Sequence, residues 1–324
     1  MNMDPKDQIV QLVQAAYDDG ASDIHFVAGK DHCRIKFRHG QTLFDYDVIA
    51  IADYLKLLHY IKYRSHLNWN QAKGPQSSAF NLTVYGTPHR IRVSAIYSKY
   101  YESLVLRIHD GTLYEQFDNL FHDENQGNEI LRSIESWPGL ILFTGPTGAG
   151  KTTLAYGVLY ELKRKGLSIV SIEDPVEHYF DDYVQLEINE TAGVEYGGVI
   201  KEVLRHDPDV IFIGEIRHPE SAKAAIRASL TGHMVISTLH AKNAIQAFYR
   251  LQELGISLLE LEQVLSLVTN QRLALGEKGK RAILELLNRE KIEEALYALK
   301  KGEKFVYTTL QELALEQGLT LLKG

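Results

Sequence analysis

The run Gly145-Pro146-Thr147-Gly148-Ala149-Gly150-Lys151-Thr152-Thr153 concentrates glycines, a lysine and hydroxyls in one short stretch. It matches G-x-x-x-x-G-K-[ST] at every fixed position. Glycines let backbone N–H groups curl around phosphate oxygens, and a helix starting behind them adds its positive N-terminal end. In such a loop Lys151 reaches the β- and γ-phosphates, and the Thr152 hydroxyl coordinates Mg²⁺. The competing reading is a glycine-rich turn with no ligand. The apolar run Leu140–Thr144 before the loop and the helical pattern from Thr152 argue against that reading.

Nucleotide hydrolysis at such a loop also needs acids, one to hold the metal through water and one to orient the attacking water. Two apolar runs end on acids: Leu167–Val170 leads to Glu173 and Asp174, and Val210–Ile213 leads through Gly214 to Glu215. In a parallel sheet the C-terminal ends of the strands lie beside the phosphate loop. Each acid alone could be a solvated loop residue; paired at matching strand ends, they favour chemistry.

The elements that must position these groups follow from periodicity. Gln8–Tyr17 reads as an amphipathic helix, followed by strand-like runs Ile24–Ala28, Cys33–Phe37 and Leu43–Val48. A helical pattern over 51–66 precedes runs Phe80–Tyr85, Arg90–Ile96 and Ser103–Ile108. This is a small α+β domain, residues 1–110. The polar stretch 111–128 reads as a linker with one helical turn. From 129 to 324 apolar strands (Leu140–Thr144, Ile169–Ile172, Val210–Ile213, Met234–Thr238) alternate with helices, the grammar of an α/β domain with a mostly parallel sheet covered on both faces. From Leu258 onward the pattern reads as mainly helical.

Composition narrows the class. With 45% hydrophobic and 24% charged residues the chain reads as soluble and globular. A formal net charge of −7 makes direct nucleic-acid binding the weaker expectation. The single cysteine, Cys33, reads as a buried structural thiol of a reducing compartment. The N-terminal residues lack a signal-peptide pattern, and no apolar run reaches membrane-spanning length. The expected location is the cytoplasm.

Further motifs resemble one family, the ATPases that power secretion and type IV pilus assembly. Leu204-Arg205-His206-Asp207-Pro208-Asp209-Val210, continuing to Gly214-Glu215-Ile216-Arg217, looks like that family's Walker B signature. Ile172-Glu173-Asp174-Pro175-Val176-Glu177 resembles its aspartate box, and Leu230–His240 its histidine box. Ala21-Ser22-Asp23-Ile24-His25 and Asn270-Gln271-Arg272-Leu273, with Ala282–Leu287, resemble segments before and after the core. The resemblance implies a ring-shaped homo-hexamer whose subunits join a PAS-like N-terminal domain to a RecA-like P-loop ATPase domain. It implies ATP as substrate, with Glu173 as general base, Glu215 on Mg²⁺ with Thr152, and His240 sensing the γ-phosphate. Arg92 and Arg107 match arginines that approach the nucleotide; without the resemblance they read as solvated strand arginines. His233 reads as structural. The implied partner is a polytopic inner-membrane platform protein that holds the ATPase at the inner face of the cell membrane.

Departures narrow the subfamily. The segment Ala274–Arg281 has no cysteine where the type II secretion ATPases carry a four-cysteine zinc module, so no zinc is expected. The long additional N-terminal domain of many pilus-extension ATPases is missing, as is the C-terminal motif of the retraction ATPases. His218 and Ala241-Lys242-Asn243 replace residues usual in the family. The pattern is most similar to the competence ATPases of Gram-positive bacteria, which assemble a pilus or pseudopilus for DNA uptake. Alternatives are a retraction or type II secretion ATPase, a nucleotide-binding scaffold with little turnover, and a DNA-translocating motor.

Overall fold

The computed structural model describes residues 4–40, 42–68, 74–108, 117–136, 138–180, 182–188, 194–277 and 279–322. The chain forms two compact units, residues 1–111 with 177–179, and residues 112–176 with 180–324. Among the described residues no helix is long and apolar enough to cross a membrane.

The first unit runs α1 (Pro5–Asp18), β1 (Asp23–Ala28), β2 (His32–His39), β3 (Thr42–Ala50), α2 (Ile51–Arg64), β4 (Gln76–Val84), β5 (Thr87–Tyr97) and β6 (Glu102–Ile108). Asp4 caps α1 by accepting from the Lys6 N–H at 2.8 Å, and Pro5 fits the first helical position, where an N–H would lack a partner. The strands pair antiparallel in the order β3-β2-β1-β6-β5-β4. Helical spacing gathers Ile9, Leu12, Val13 and Ala16 on α1 and Tyr54, Leu57, Leu58 and Ile61 on α2. Both stripes share one core with alternate strand residues such as Ile24, Phe26, Ile35 and Phe37. Cys33 belongs to this core, and burial pushes its thiol up to about 12, which keeps it unreactive. A buried ion pair, Lys62 to Glu102 at 2.8 Å, ties α2 to β6.

The second unit begins with a 3₁₀ turn, Phe117–Leu120, and α3 (Glu124–Ser136). It continues with β7 (Leu140–Thr144), α4 (Lys151–Arg164), β8 (Ile169–Glu173), β9 (Val184–Glu187), α5 (Tyr196–Arg205), β10 (Val210–Ile213), α6 (Pro219–Leu230) and β11 (Met234–Leu239). Then come α7 (Ala244–Glu253), α8 (Leu258–Val264), β12 (Leu265–Gly276), β13 (Gly279–Leu287), α9 (Arg289–Lys301), α10 (Leu310–Glu316) and β14 (Thr320–Leu321). The sheet order is β13-β12-β7-β11-β10-β8-β9, with β14 beside β12. From β12 to β9 all pairs are parallel; β13 and β14 join antiparallel. Apolar strands buried on both faces explain the continuous hydrophobic runs. Leu140, Leu142, Ile211 and Ile213 enter one core, while Ile141, Phe143, Val210 and Phe212 enter the other.

Two expectations need correction. The region after Leu258 is not mainly helical, because α8 stops at Val264 and two long strands, β12 and β13, follow it and pair antiparallel. The start of β12, Leu265–Val268, apolar except for Ser266, is buried among neighbouring elements, where periodicity alone cannot separate a central strand from a buried helix. Nor are residues 117–128 a linker: Phe117 and Phe121 are buried in the second unit's core, and the His122 N–H donates to the Ala282 carbonyl at 3.1 Å. Residues 111–116 lie outside the described residues. β9 had no sequence signal strong enough to mark it, being a short edge strand with two exposed residues.

Phe121 tests the packing of that stretch. Its ring meets Phe117 edge-on at 5.1 Å, and a β-carbon on Gly127 would stand 2.9 Å from it. Phe121→Ala should cost about 3–5 kcal/mol, read as a lower denaturation midpoint in urea. A midpoint equal to wild type would restore the linker reading.

Candidate active site

β7 runs directly into the glycine loop. Gly145, Gly148 and Gly150 take φ of 148°, 76° and 82°, values open to glycine and strained for other residues. Space reinforces this at two of them: a β-carbon would stand 2.6 Å from the Gln271 carbonyl oxygen at Gly145, and 3.0 Å from Gln271 Nε2 at Gly150. Gln271 thus walls the loop, and its Nε2 donates to the Ala149 carbonyl at 2.6 Å. Next to it Asn270 Nδ2 donates to Thr144 Oγ1 at 2.9 Å and to the Ala241 carbonyl at 3.1 Å. Pro146 and Thr147 span the bend between the first two glycines. Lys151, largely buried, donates to the Pro146 carbonyl at 3.0 Å. Leu154 is the first residue of α4 whose N–H bonds back into the helix, to Gly150 at 3.0 Å. The N–H groups of Lys151, Thr152 and Thr153 therefore lie at the helix end that attracts anions.

Strand register places the acids and the histidine along the same edge. Thr144 pairs with Leu239, Ser237 with Ile213, and Ile213 with Ile172, so the next residues in line are Gly145, His240, Gly214 and Glu173. Cross-links hold the loops level: the Gly214 N–H donates to Ile172 O at 2.9 Å, and Thr238 Oγ1 donates to Gly214 O at 2.8 Å. Glu215 Oε1 lies 3.1 Å from His240 Nε2, while its Oε2 accepts from Arg217 at 2.7 Å. Burial, then the charges of Lys151 and Arg217, push the His240 pKa below the ordinary histidine value, against the raising pull of Glu215 and the Gly145 carbonyl. The lowered pKa favours the neutral ring, which offers one donor and one acceptor.

Glu173 is almost fully buried. Oε2 accepts from Tyr156 of α4 at 2.5 Å, and Oε1 from Ser171 at 2.6 Å and Gln185 at 3.3 Å. Both oxygens are thus already engaged by chain donors. The Thr152 hydroxyl, in the first turn of α4, and the partly exposed Glu215 carboxylate are the hard oxygen donors that suit Mg²⁺.

Arg92 and Arg107 lie in the first unit, directly opposite each other on β5 and β6. Arg107 Nε donates to buried Asp23 at 2.7 Å, and Arg38 sits across β1 from the same aspartate, so Arg38, Asp23, Arg107 and Arg92 form one row over four strands. His233 bonds Thr231 at 3.0 Å, just past the C-terminus of α6. The unusual residues have local jobs: His218 caps α6 in a reciprocal box with Ser221, and Asn243 caps α7 by accepting from Gln246.

Several functional neighbours escaped the sequence reading. Tyr156 gave no signal, since its link to Glu173 is made across α4 and β8. Tyr196 opens α5; burial, then Asp174 and the other acids, push its phenol up to about 12, so it stays neutral. Asn270, Gln271 and Arg272 were visible as a motif but not as the wall of the loop. Glu285 is buried, and burial raises its pKa. It accepts from Ala244 at 2.9 Å, at the N-terminus of α7 just after the His240 loop, and from Leu310 at 3.1 Å, at the N-terminus of α10.

Comparison with known proteins completes the assignment. The family model "Type II/IV secretion system protein" matches residues 5–290. Competence protein ComGA of Bacillus subtilis (strain 168) is 36% identical over 263 residues, covering 81% of this chain and 74% of that protein. Competence protein ComGA of Halalkalibacterium halodurans is 33% identical over 308 residues, covering 89% of this chain and 88% of its own length. Among solved structures, the pilus retraction motor PilT with bound ADP superposes with a TM-score of 0.66 at 25% identity, covering 95% of this chain and 96% of that one. The chain belongs to the type II/IV secretion system protein family and is an ATP-hydrolysing enzyme of α/β fold.

Proposed function

We propose that this ATPase powers assembly of a competence pilus or pseudopilus for DNA uptake. The observation that carries the reading is the alignment of the glycine loop, Glu215 and His240 along one edge of a parallel sheet. The ComGA relatives support the choice of machine. In this reading the first unit is PAS-like and the second RecA-like. Six copies form a ring in the cytoplasm, held against the inner face of the cell membrane by a polytopic platform protein.

ATP lies with its phosphates on the loop N–H groups and the Lys151 ammonium. Mg²⁺, when bound at Thr152 and Glu215, neutralises charge on the β- and γ-phosphate oxygens. Glu173 takes the proton of the attacking water, which requires its carboxylate to exchange part of the Tyr156–Ser171–Gln185 network for that water. The neutral His240 ring, bridging Glu215 and the loop, reports whether a γ-phosphate is present. Arg92 and Arg107 stabilise charge developing on the transferring phosphoryl group. Closing on ATP and opening after hydrolysis convert these contacts into rigid-body movement.

Lys151→Ala should abolish ATP turnover and natural transformation of the source bacterium while the protein stays abundant. Unchanged uptake would assign the motor to another secretion or pilus machine. Glu173→Gln should retain ATP binding and lose turnover by about 10²–10⁴-fold; wild-type kinetics would remove Glu173 as base.

Arg92→Ala should lower kcat on the order of 10³-fold with little change in nucleotide affinity. Arg107→Ala is the less clean probe, because it also uncovers the buried Asp23 and so must be paired with a thermal midpoint. Wild-type turnover in Arg92→Ala would leave that residue a solvated strand arginine. For His240, NMR titration should find a midpoint below about 6.5. Glu215→Gln should lower it further, since the carboxylate is a raising influence. A midpoint that rises would show that the two side chains do not interact.

A further inference from the structure

The second unit has a cleft of about 370 Å³ between α3, edge strand β13, α9 and the extended stretch before α10, and no residue of the nucleotide site lines it. Leu284 and Leu286 of β13, with Phe305 and Leu313, supply apolar side chains to a lining of mixed character. The polar groups are unbalanced. Gln126 of α3 is 9% exposed; its Nε2 donates to the Leu284 carbonyl at 2.9 Å, which leaves Oε1 buried without a hydrogen-bond partner among the described residues. A buried acceptor of this kind calls for a donor. Glu129, three residues along α3, and Glu294 of α9 add two carboxylates to the lining, against the one ammonium of Lys291.

We propose that this cleft binds an arginine side chain presented by a segment of a partner protein. The aliphatic stem covers the Phe305–Leu313 wall, as long basic side chains do on apolar surface. The guanidinium supplies what the lining lacks: several donors in a plane, able to serve Gln126 Oε1 and a carboxylate together. Charge complementarity selects a cation, and the rim selects a peptide over a free amine. Val306, one of the lining residues, is 83% exposed, so apolar surface continues outward from the cleft where main chain would lie. The segment from Phe305 to Leu313 lies beyond the residues matched by the family model, so this wall is built by a part of the chain outside the shared core.

The test titrates the full chain with acetyl-Leu-Arg-Leu-amide, and in parallel with the citrulline peptide, which keeps the shape and loses the charge. The arginine peptide should bind saturably and the citrulline peptide roughly tenfold more weakly. Glu294→Gln, an exposed position that leaves the fold and ATP turnover unchanged, should weaken the arginine peptide by roughly threefold or more. Gln126→Leu should weaken it too, with a thermal midpoint measured alongside. Equal binding of the two peptides, binding indifferent to Glu294→Gln, or no saturable binding of either would overturn the proposal, the last leaving water as the partner of Gln126.

Discussion

No side chain fits at Gly145, because the carbonyl oxygen of Gln271 comes within 2.6 Å of where a β-carbon would be. This close approach lets β12 lie parallel beside β7 and press its Asn270–Arg272 stretch against the phosphate loop. With the loop braced from β12, the remaining strands need only end at a common level for their acids and histidine to reach it. The site is thus a consequence of register. A one-residue slip between β10 and its neighbours would turn Glu215 away from His240.

The same logic separates what was legible in the sequence from what was not. β7 and β10 begin and end at the residues their apolar runs mark, because strands buried on both faces leave an unbroken hydrophobic signature. The glycine loop was legible because chemistry restricts residue type at fixed spacing and Glu215 as an acid after an apolar run, whereas His240 was marked only by the family resemblance. Glu173 was legible as an acid at a strand end, whereas its buried network was not. Tyr156 lies 17 residues away on another element, and such a link is a property of packing. The β12–β13 pair was misread for a related reason: Thr269, Asn270 and Gln271 are polar residues buried for the sake of the loop, and they break the alternation that would have announced a strand.

In the first unit, electrostatics take the place of register as the organising constraint. Like charges opposite each other on paired strands repel, yet Arg92 faces Arg107. Asp23, buried between Arg38 and Arg107, offsets part of this and leaves the row two positive charges in excess. A surface so arranged is a standing attraction for an anion, and a substitution at Asp23 would alter it as surely as one at either arginine.

Glu285 holds α10 by accepting a backbone N–H, that of Leu310, and not a side chain. Every amino acid except proline carries that donor. That one hydrogen bond is therefore blind to the identity of the residue attached, while the buried Leu310 and Ala314 side chains hold the helix by packing on Ala274 and Ile283. The residue that grips it lies within the stretch shared with the family, while the helix it grips lies outside. Such a joint lets the outward face of the tail diverge in sequence, and so acquire or exchange surfaces, so long as the positions of Leu310 and Ala314 stay apolar and Glu285 keeps hold of the helix end and of the loop after His240.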